Sequence, residues 1–314
     1  MSVKARLGEH AMLIFLILLV AGAMLFVDRF NTSTNFFNIL SQVAINAIIA
    51  TGMTYVILTG GIDLSVGSVA ALAGVTVATI IREFPYASVG FSILVAITTA
   101  IVVGVIFGSF TAFSIAKLKV PPFIATLAMM SIARGIAFIH TQARPVAGLP
   151  RNFTWLGSGR LGGVVPISAL TMAIIMAAAY IVLSRTCYGR HIYAIGSNEE
   201  VSKLSGIRVA KVKASVYIIS GIMASLGGIL LASRLLSGNP SAAPGAELEA
   251  IAAVAIGGTS MSGGKGGILQ TLQGVLLIGV INNILSLMRV DSHFQTVVMG
   301  LIILVAVIID QAKN

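Results

Sequence analysis

Apolar residues run along this chain in stretches of about the length that crosses a bilayer, roughly 20 residues. They fall at 11–27, 38–59, 64–81, 89–116, 123–141, 164–184, 214–234, 247–262, 268–288 and 294–310. The pattern predicts an all-α integral membrane protein with about ten transmembrane helices, in one membrane domain spanning residues 1–314. A β-barrel would instead show segments of about ten residues with alternating polarity. Very little separates the second run from the third, and the eighth from the ninth. These are the candidates for broken or re-entrant helices.

The longest polar stretch is 185–213, which carries six of the chain's twenty Lys and Arg. Ser197 with Glu200 three residues on reads as a capping box, and Gly206 suits the C′ position. A short capped helix over 198–205 follows, on a loop between two spans. Such a loop offers a handle to a soluble partner. Two glycine-rich breaks also stand out, Thr59-Gly60-Gly61-Ile62-Asp63-Leu64-Ser65-Val66-Gly67-Ser68 and the run from Ile256 to Gly267. Each has paired Gly, then Ser, then Gly between apolar runs, which suggests an internal duplication of the kind found in transporters.

Composition sharpens this picture. The chain is 57% hydrophobic and only 10% charged, against about 25% charged in a soluble domain. Its net charge of +10 is explained by basic residues in short loops between spans, and no basic-aromatic module points to nucleic acid. With the N-terminus in the cytoplasm, Lys4, Arg6, Lys117, Lys119, Arg185, Arg190, Lys203, Arg208, Lys211, Lys213, Lys265 and Lys313 fall inside. Arg29, Arg82, Arg144, Arg151, Arg160, Arg234 and Arg289 fall outside. The excess inside favours this orientation, with both termini cytoplasmic. The first apolar run continues past Ala21-Gly22-Ala23, so it reads as a retained span rather than a cleaved leader. One cysteine, Cys187, excludes an intramolecular disulfide and a cysteine metal cluster. His10, His140, His191 and His293 have no ligand spacing.

The polar residues inside the spans narrow the chemistry. Asp63 follows Gly-Gly and precedes Leu-Ser-Val, a position for capping the next helix; a direct part in transport is the alternative. Arg134 sits inside the fifth run and needs a partner: Asp63, an Asn or backbone carbonyls. Glu247 and Glu249 open the eighth run, where first-turn acids suit the helix dipole. Asn46, Thr51, Thr54, Asn282 and Asn283 are uncharged. They either tie helices together or line a path for a hydroxylated solute, which needs neutral donors and acceptors and no fixed charge. The Gly258–Gly266 segment fails the phosphate-loop pattern, because Thr259 and Gly266 stand where Gly and Ser/Thr are required. There is no HExxH, no paired carboxylates set for hydrolysis and no nucleophile elbow with its partners. A proton-coupled carrier would carry several intramembrane carboxylates or histidines.

At this level of detail the chain resembles the membrane permease subunits of bacterial ABC importers for monosaccharides, the ribose, xylose, galactose and autoinducer-2 group. The resemblance extends from about Phe37 to Asp310. It is carried by Asn38-Ile39-Leu40, Gly52-Met53-Thr54, Ile57 to Ser68, Phe123 to Leu127, Arg134-Gly135, Gly189-Arg190 and Ile192 to Gly196. It continues through Asn198-Glu199, Leu204 to Ile207, Ala250 to Val254 and Gly257-Gly258-Thr259-Ser260. The Leu204–Ile207 and Gly257–Gly266 regions are nearest to the ribose permeases, so the implied substrate is a pentose such as ribose.

The resemblance implies that two permease subunits, copies or close relatives, pair in the inner membrane among its lipids. A cytoplasmic ATP-binding subunit docks beneath, and a periplasmic sugar-binding protein delivers substrate. ATP and Mg would be held by that partner, with no cofactor and no catalysis on this chain. The helix at 198–205 would be the coupling helix. Val201 and Leu204 would fill a groove on the ATPase, with Asn198, Glu199, Glu200, Lys203 and Gly206 setting its ends and rim. Asn46, Thr54, Asp63, Arg134, Asn282 and Asn283 are the candidates for the translocation path. The alternative from another class is a stand-alone secondary sugar carrier or facilitator.

Overall fold

The structure is a computed structural model that describes residues 3–84, 86 and 88–313. The side chains of Lys4, Arg6, His10 and Lys313, which enter the charge and histidine readings, lie outside the described residues. The helices are α1 (Val3–Phe26), α2 (Ser33–Leu58), α3 (Val66–Arg82), α4 (Val89–Ala116), α5 (Pro122–Thr141), α6 (Thr154–Ser158), α7 (Ile167–Arg185), α8 (Cys187–Ser197), α9 (Glu199–Leu204), α10 (Val209–Leu235), α11 (Ala246–Gly257), α12 (Ile268–Leu287) and α13 (Ser292–Lys313). One small antiparallel hairpin, β1 (Arg160–Leu161) with β2 (Val165–Pro166), precedes α7.

Each of the ten apolar runs coincides with a helix. Among the described residues, six of these, α2, α4, α5, α7, α10 and α12, are long and apolar enough to cross a membrane. The apolar parts of α1, α3 and α13 are shorter, at Met12–Phe26, Val66–Arg82 and His293–Val305. With 12 residues, α11 reaches about 18 Å, well short of a hydrocarbon core of about 30 Å. The expectation of about ten spans therefore reduces to six candidate spans and several shorter apolar helices.

Local chemistry starts these helices where the chain must turn. Thr32 caps α2, its hydroxyl accepting from the Asn35 N–H at 3.2 Å, and Ser88 caps α4 in the same way on Phe91. Pro122 opens α5 at a position that needs no N–H donor. The centre of the bundle is α10, which packs most extensively on α4, α3 and α2. Small residues bring the backbones together, with Gly221 on Gly104, Gly228 on Ala70 and Gly52 on Ser220. These pairings make α10 antiparallel to α2 and α4 and parallel to α3.

The alternation defines two ends. One holds the break between α2 and α3, the α8–α9 connection and the break between α11 and α12. The other holds the hairpin, α6 and the segment between α10 and α11. The likeness of the two glycine-rich breaks appears here as a contact. The Gly264 N–H donates to the Leu58 carbonyl at 3.0 Å. The flanking helices differ in order of length, 26 then 17 residues around the first break and 12 then 20 around the second.

Candidate functional site: a coupling end and a mid-depth cavity

The polar loop holds two helices where one was expected. Thr186 caps α8, its hydroxyl accepting from the Gly189 N–H at 3.2 Å. Ile192 and Ile195, three residues apart, bury the inner face of α8. The Thr cap and that apolar pair were the signals for α8 in the sequence. The capping box of Ser197 with Glu200 is not formed. Ser197 is the last residue of α8, and its hydroxyl donates to the Tyr193 carbonyl. The extended residue that an N-cap requires is Asn198, whose Oδ1 accepts from the Val201 N–H at 2.9 Å.

Helix α9 ends as the sequence predicts. Gly206 has φ +83°, its N–H donates to Lys203, and the Ile207 N–H donates to Ser202. That is a Schellman closure, which satisfies two terminal carbonyls and favours glycine at C′. Within α9 the one buried side chain is Ser202. Val201 is 56% and Leu204 84% exposed, and Asn198, Glu199, Glu200, Lys203 and Gly206 are exposed with them. Glu199 pairs with Lys213 near the start of α10, which ties α9 to that helix. The result is a short rigid ridge with two apolar side chains pointing away from the bundle.

This ridge is joined directly to both glycine breaks. Gly196, at the end of α8, lies so close to the Leu58 carbonyl and the Gly264 N–H that a Cβ there would overlap both. Gly263 and Gly264, with φ +89° and +73°, lie against Gly60, Gly196 and Ser197. Tyr193 donates its hydroxyl to the Gly266 carbonyl at 2.8 Å, and burial raises its pKa, keeping it a neutral donor. A movement of α8 therefore bears on the end of α2 and on the break between α11 and α12 with no flexible side chain between.

Asp63 does not occupy the N-cap of α3. Ser65 stands there, without a side-chain capping bond. The Asp63 carboxylate instead closes an Asx turn, accepting from the Ser65 N–H at 3.0 Å and its hydroxyl at 2.6 Å. Its second oxygen accepts from the Ser220 hydroxyl at 2.7 Å. Asp63 is only 2% exposed, so it locks the first break to α10. Arg134 is not its partner. The Arg134 guanidinium donates to the carbonyls of Pro240 and Ala242 at 2.7 and 2.8 Å, the backbone-carbonyl option among the three expected.

The uncharged polar residues differ in what they meet. Thr54 is fully buried, bonded to the Ala50 carbonyl and the Thr271 hydroxyl, and so joins α2 to α12. Thr51 is bonded within its own helix to Ala47. Asn283 is buried and exchanges two amide hydrogen bonds with Asn35, at 2.8 and 3.0 Å. Asn282 beside it is half-buried. Asn46 lines open space, with its Nδ2 donating to Glu249 at 2.6 Å.

That space is a cavity of about 490 Å³ between α2, α10, the 239–244 segment and the first turn of α11. Its polar wall is Gln42, Asn46, Arg234, Asn239, Ser241 and Glu249. Asn46 is near the midpoint of α2, and its bond to Glu249 puts the start of α11 at that same depth. The segment before α11 thus enters the bundle without helical structure. It is held by the Val146–Gly238 bridge and by Arg134. Non-helical backbone at membrane depth is stable where it is buried in protein or lines a cavity. Two charged residues, Glu249 and Arg234, also line this cavity. Their positions, first turn and last turn of a helix, made them look like ordinary dipole and loop charges. Among the described residues no group of three or more His, Cys, Asp or Glu is placed to hold a metal.

Comparison with known proteins agrees with the resemblance read from the motifs. The chain is 46% identical over 315 residues to the ribose import permease protein RbsC of Escherichia coli (strain K12), covering 99% of this chain and 96% of that one. It is 43% identical to the ribose import permease protein RbsC of Bacillus subtilis (strain 168), covering 100% and 95%. It is 35% identical to the L-arabinose transport system permease protein AraH of E. coli (strain K12), covering 98% and 91%. No solved structure matches the chain. Residues 35–307 match the family described as branched-chain amino acid transport system / permease component, and the chain belongs to that family.

Proposed function

We propose that this chain is the membrane permease subunit of an ATP-driven importer for a monosaccharide, with ribose as the substrate. The observation that carries the reading is full-length similarity, at 46% and 43% identity, to two ribose import permeases. The family takes its description from amino-acid transport, while the ribose and arabinose permeases named above match this chain nearly end to end.

The geometry of the coupling end supports the division of labour. Val201 and Leu204 suit an apolar groove on a partner, in the helix-in-groove mode. That partner is a cytoplasmic ATP-binding subunit, which holds ATP and Mg and does the hydrolysis. The end bearing α8 and α9 then faces the cytoplasm, and both termini lie on that side of the inner membrane. A sugar-binding protein delivers substrate to the opposite end. Two permease chains pair, and the path runs between them. Asn46 and Asn282 remain candidates for it, and Asp63 and Arg134 act as struts that hold its walls.

The test is to purify the permease with its ATP-binding subunit and add binding proteins loaded with single sugars. Ribose-loaded protein is expected to raise ATP hydrolysis several-fold. Stimulation by an arabinose- or galactose-loaded protein alone would reassign the sugar. Absence of stimulation by every loaded protein would contradict the reading.

A further inference from the structure

The cavity at the start of α11 has a composition that selects among ligands. Ionisable residues at membrane depth face a partner or water and mark functional sites. Here two of opposite sign, Glu249 and Arg234, line one cavity. They form no ion pair within 4.0 Å among the described residues. The Arg234 guanidinium makes one long bond, to the Ser41 carbonyl at 3.5 Å, which leaves most of its five donors to a ligand or water at the cavity it lines. One oxygen of Glu249 takes the Asn46 amide and the other is available. The Asn46 amide oxygen adds a neutral acceptor.

These groups discriminate by charge. An anion would be drawn to Arg234 and repelled by Glu249, and a cation the reverse. A neutral ligand that both donates and accepts satisfies the pair at once. A hydroxyl group does both, and neighbouring hydroxyls on a ring present a donor and an acceptor side by side. Between these polar groups the lining is apolar, with Ile45, Ile49 and Leu231, and suits the C–H face of a ring. The volume of about 490 Å³ lies within the range of small-molecule sites. The wall is also preset, because Arg134 fixes the 239–244 backbone through two carbonyls.

We propose that this cavity is a transit site for one monosaccharide molecule within the permease. Glu249 accepts from one sugar hydroxyl, Asn46 orients Glu249, and Arg234 donates to a second hydroxyl. The proposal rests on the importer reading and adds to it a point of sugar recognition on this chain, separate from the binding protein. The site is expected to be weak, since few groups contact the sugar and release must be fast.

The experiment uses the complete transporter in proteoliposomes, with its ATP-binding subunit and binding protein. Wild-type transporter is measured first. Failure of any sugar-loaded binding protein to stimulate hydrolysis would sink the importer reading, and is thereby distinguished from failure of this proposal. Given stimulation, Glu249→Gln and Arg234→Lys, which nearly conserve volume, are expected to cut ribose uptake at least tenfold. Stimulated ATP hydrolysis should stay within twofold of wild type, so that ATP is used without sugar movement. Leu231→Trp, which fills the cavity from its apolar wall, should give the same uncoupled loss.

Saturation-transfer NMR on the transporter without binding protein supplies a direct readout. Ribose should give a signal that Glu249→Gln removes and that ribose 5-phosphate does not compete. Uptake within twofold of wild type in all three variants would overturn the proposal. So would hydrolysis falling in step with uptake, or a ribose signal unchanged by Glu249→Gln.

Discussion

Two regions where this chain interrupts its helices, one at an end of the bundle and one at depth, are built in opposite ways. At the coupling end, the breaks around Gly60 and Gly263 close on each other and on Gly196, backbone against backbone. Before α11, the interruption is held open, with Arg134 and the Val146 bridge pulling its backbone aside. The first arrangement leaves no room for a side chain; the second leaves a cavity lined by both charges. Glycine permits the first because close backbone approach needs the absent Cβ. The second depends on an Arg satisfying carbonyls that a helix would otherwise have used. A tight joint transmits displacement, and an open one accommodates a solute. On the importer reading proposed above, the part that is pushed is separate from the part that is occupied.

The largest expected effect comes from severing the pushed part from its partner. Val201→Asp with Leu204→Asp places two charges in an apolar groove, at a cost of several kcal/mol if they stay unpaired. The mutant permease should insert normally yet lose its ATP-binding subunit on affinity purification. Retention of that subunit would show that α9 is not the seat.

Next in size is the joint itself. Gly196→Val forces a branched side chain against the Leu58 carbonyl and Gly264, an overpacking worth about 1–3 kcal/mol or more. The ATP-binding subunit should remain attached while uptake falls more than tenfold. Normal uptake would mean that the joint does not carry the movement.

The strut at Asp63 sharpens the comparison further. Asp63→Ala leaves the buried Ser65 and Ser220 groups without their acceptor, costing about 1–3 kcal/mol. Asp63→Asn keeps an acceptor for Ser65, and the Ser220 hydroxyl can rotate to accept from the new amide. Uptake assays should find Asn near wild type and Ala impaired. Equal loss in both, at normal expression, would show that the charge takes part in transport.

The smallest effect is expected at Asn283→Ala, which removes the two hydrogen bonds to Asn35, each worth about 0.6 kcal/mol on average. A thermal unfolding midpoint should drop slightly and uptake should hold. In a Cys187→Ser background, Asn283→Cys should resist a small water-soluble thiol reagent while Asn46→Cys reacts. Reaction at position 283 would show that this residue faces the path and does not merely tie α12 to α2.

Much of this architecture was legible in the residue pattern. The ten apolar runs each became a helix, because about 20 apolar residues in sequence have no other stable form in lipid. Gly206 and the outward Val201 and Leu204 were readable because α9 is local: cap, turn and face lie within nine residues. The N-cap was misplaced by one residue because α8 was unseen and continues through Ser197, which removes that residue from cap geometry. Length in spans was less legible. Run eight looked membrane-long, yet only Ala246–Gly257 is helical, since Gly258 to Gly267 follow the backbone of the opposite break. The cavity was least legible of all. Glu249 meets Asn46 across 203 positions, and nothing near either residue indicates that α11 begins at the midpoint of α2. The same holds for Arg134, whose carbonyl partners are more than 100 residues away.

The central claim is that this chain moves sugar only when driven from its coupling end. Purified permease is reconstituted into vesicles and radiolabelled ribose uptake is measured, with the ATP-binding subunit, the binding protein and ATP supplied together and then omitted singly. The account predicts uptake with all three present, and background levels when any one is missing. Ribose accumulation by the permease alone, without ATP, would contradict it and make the chain a stand-alone carrier.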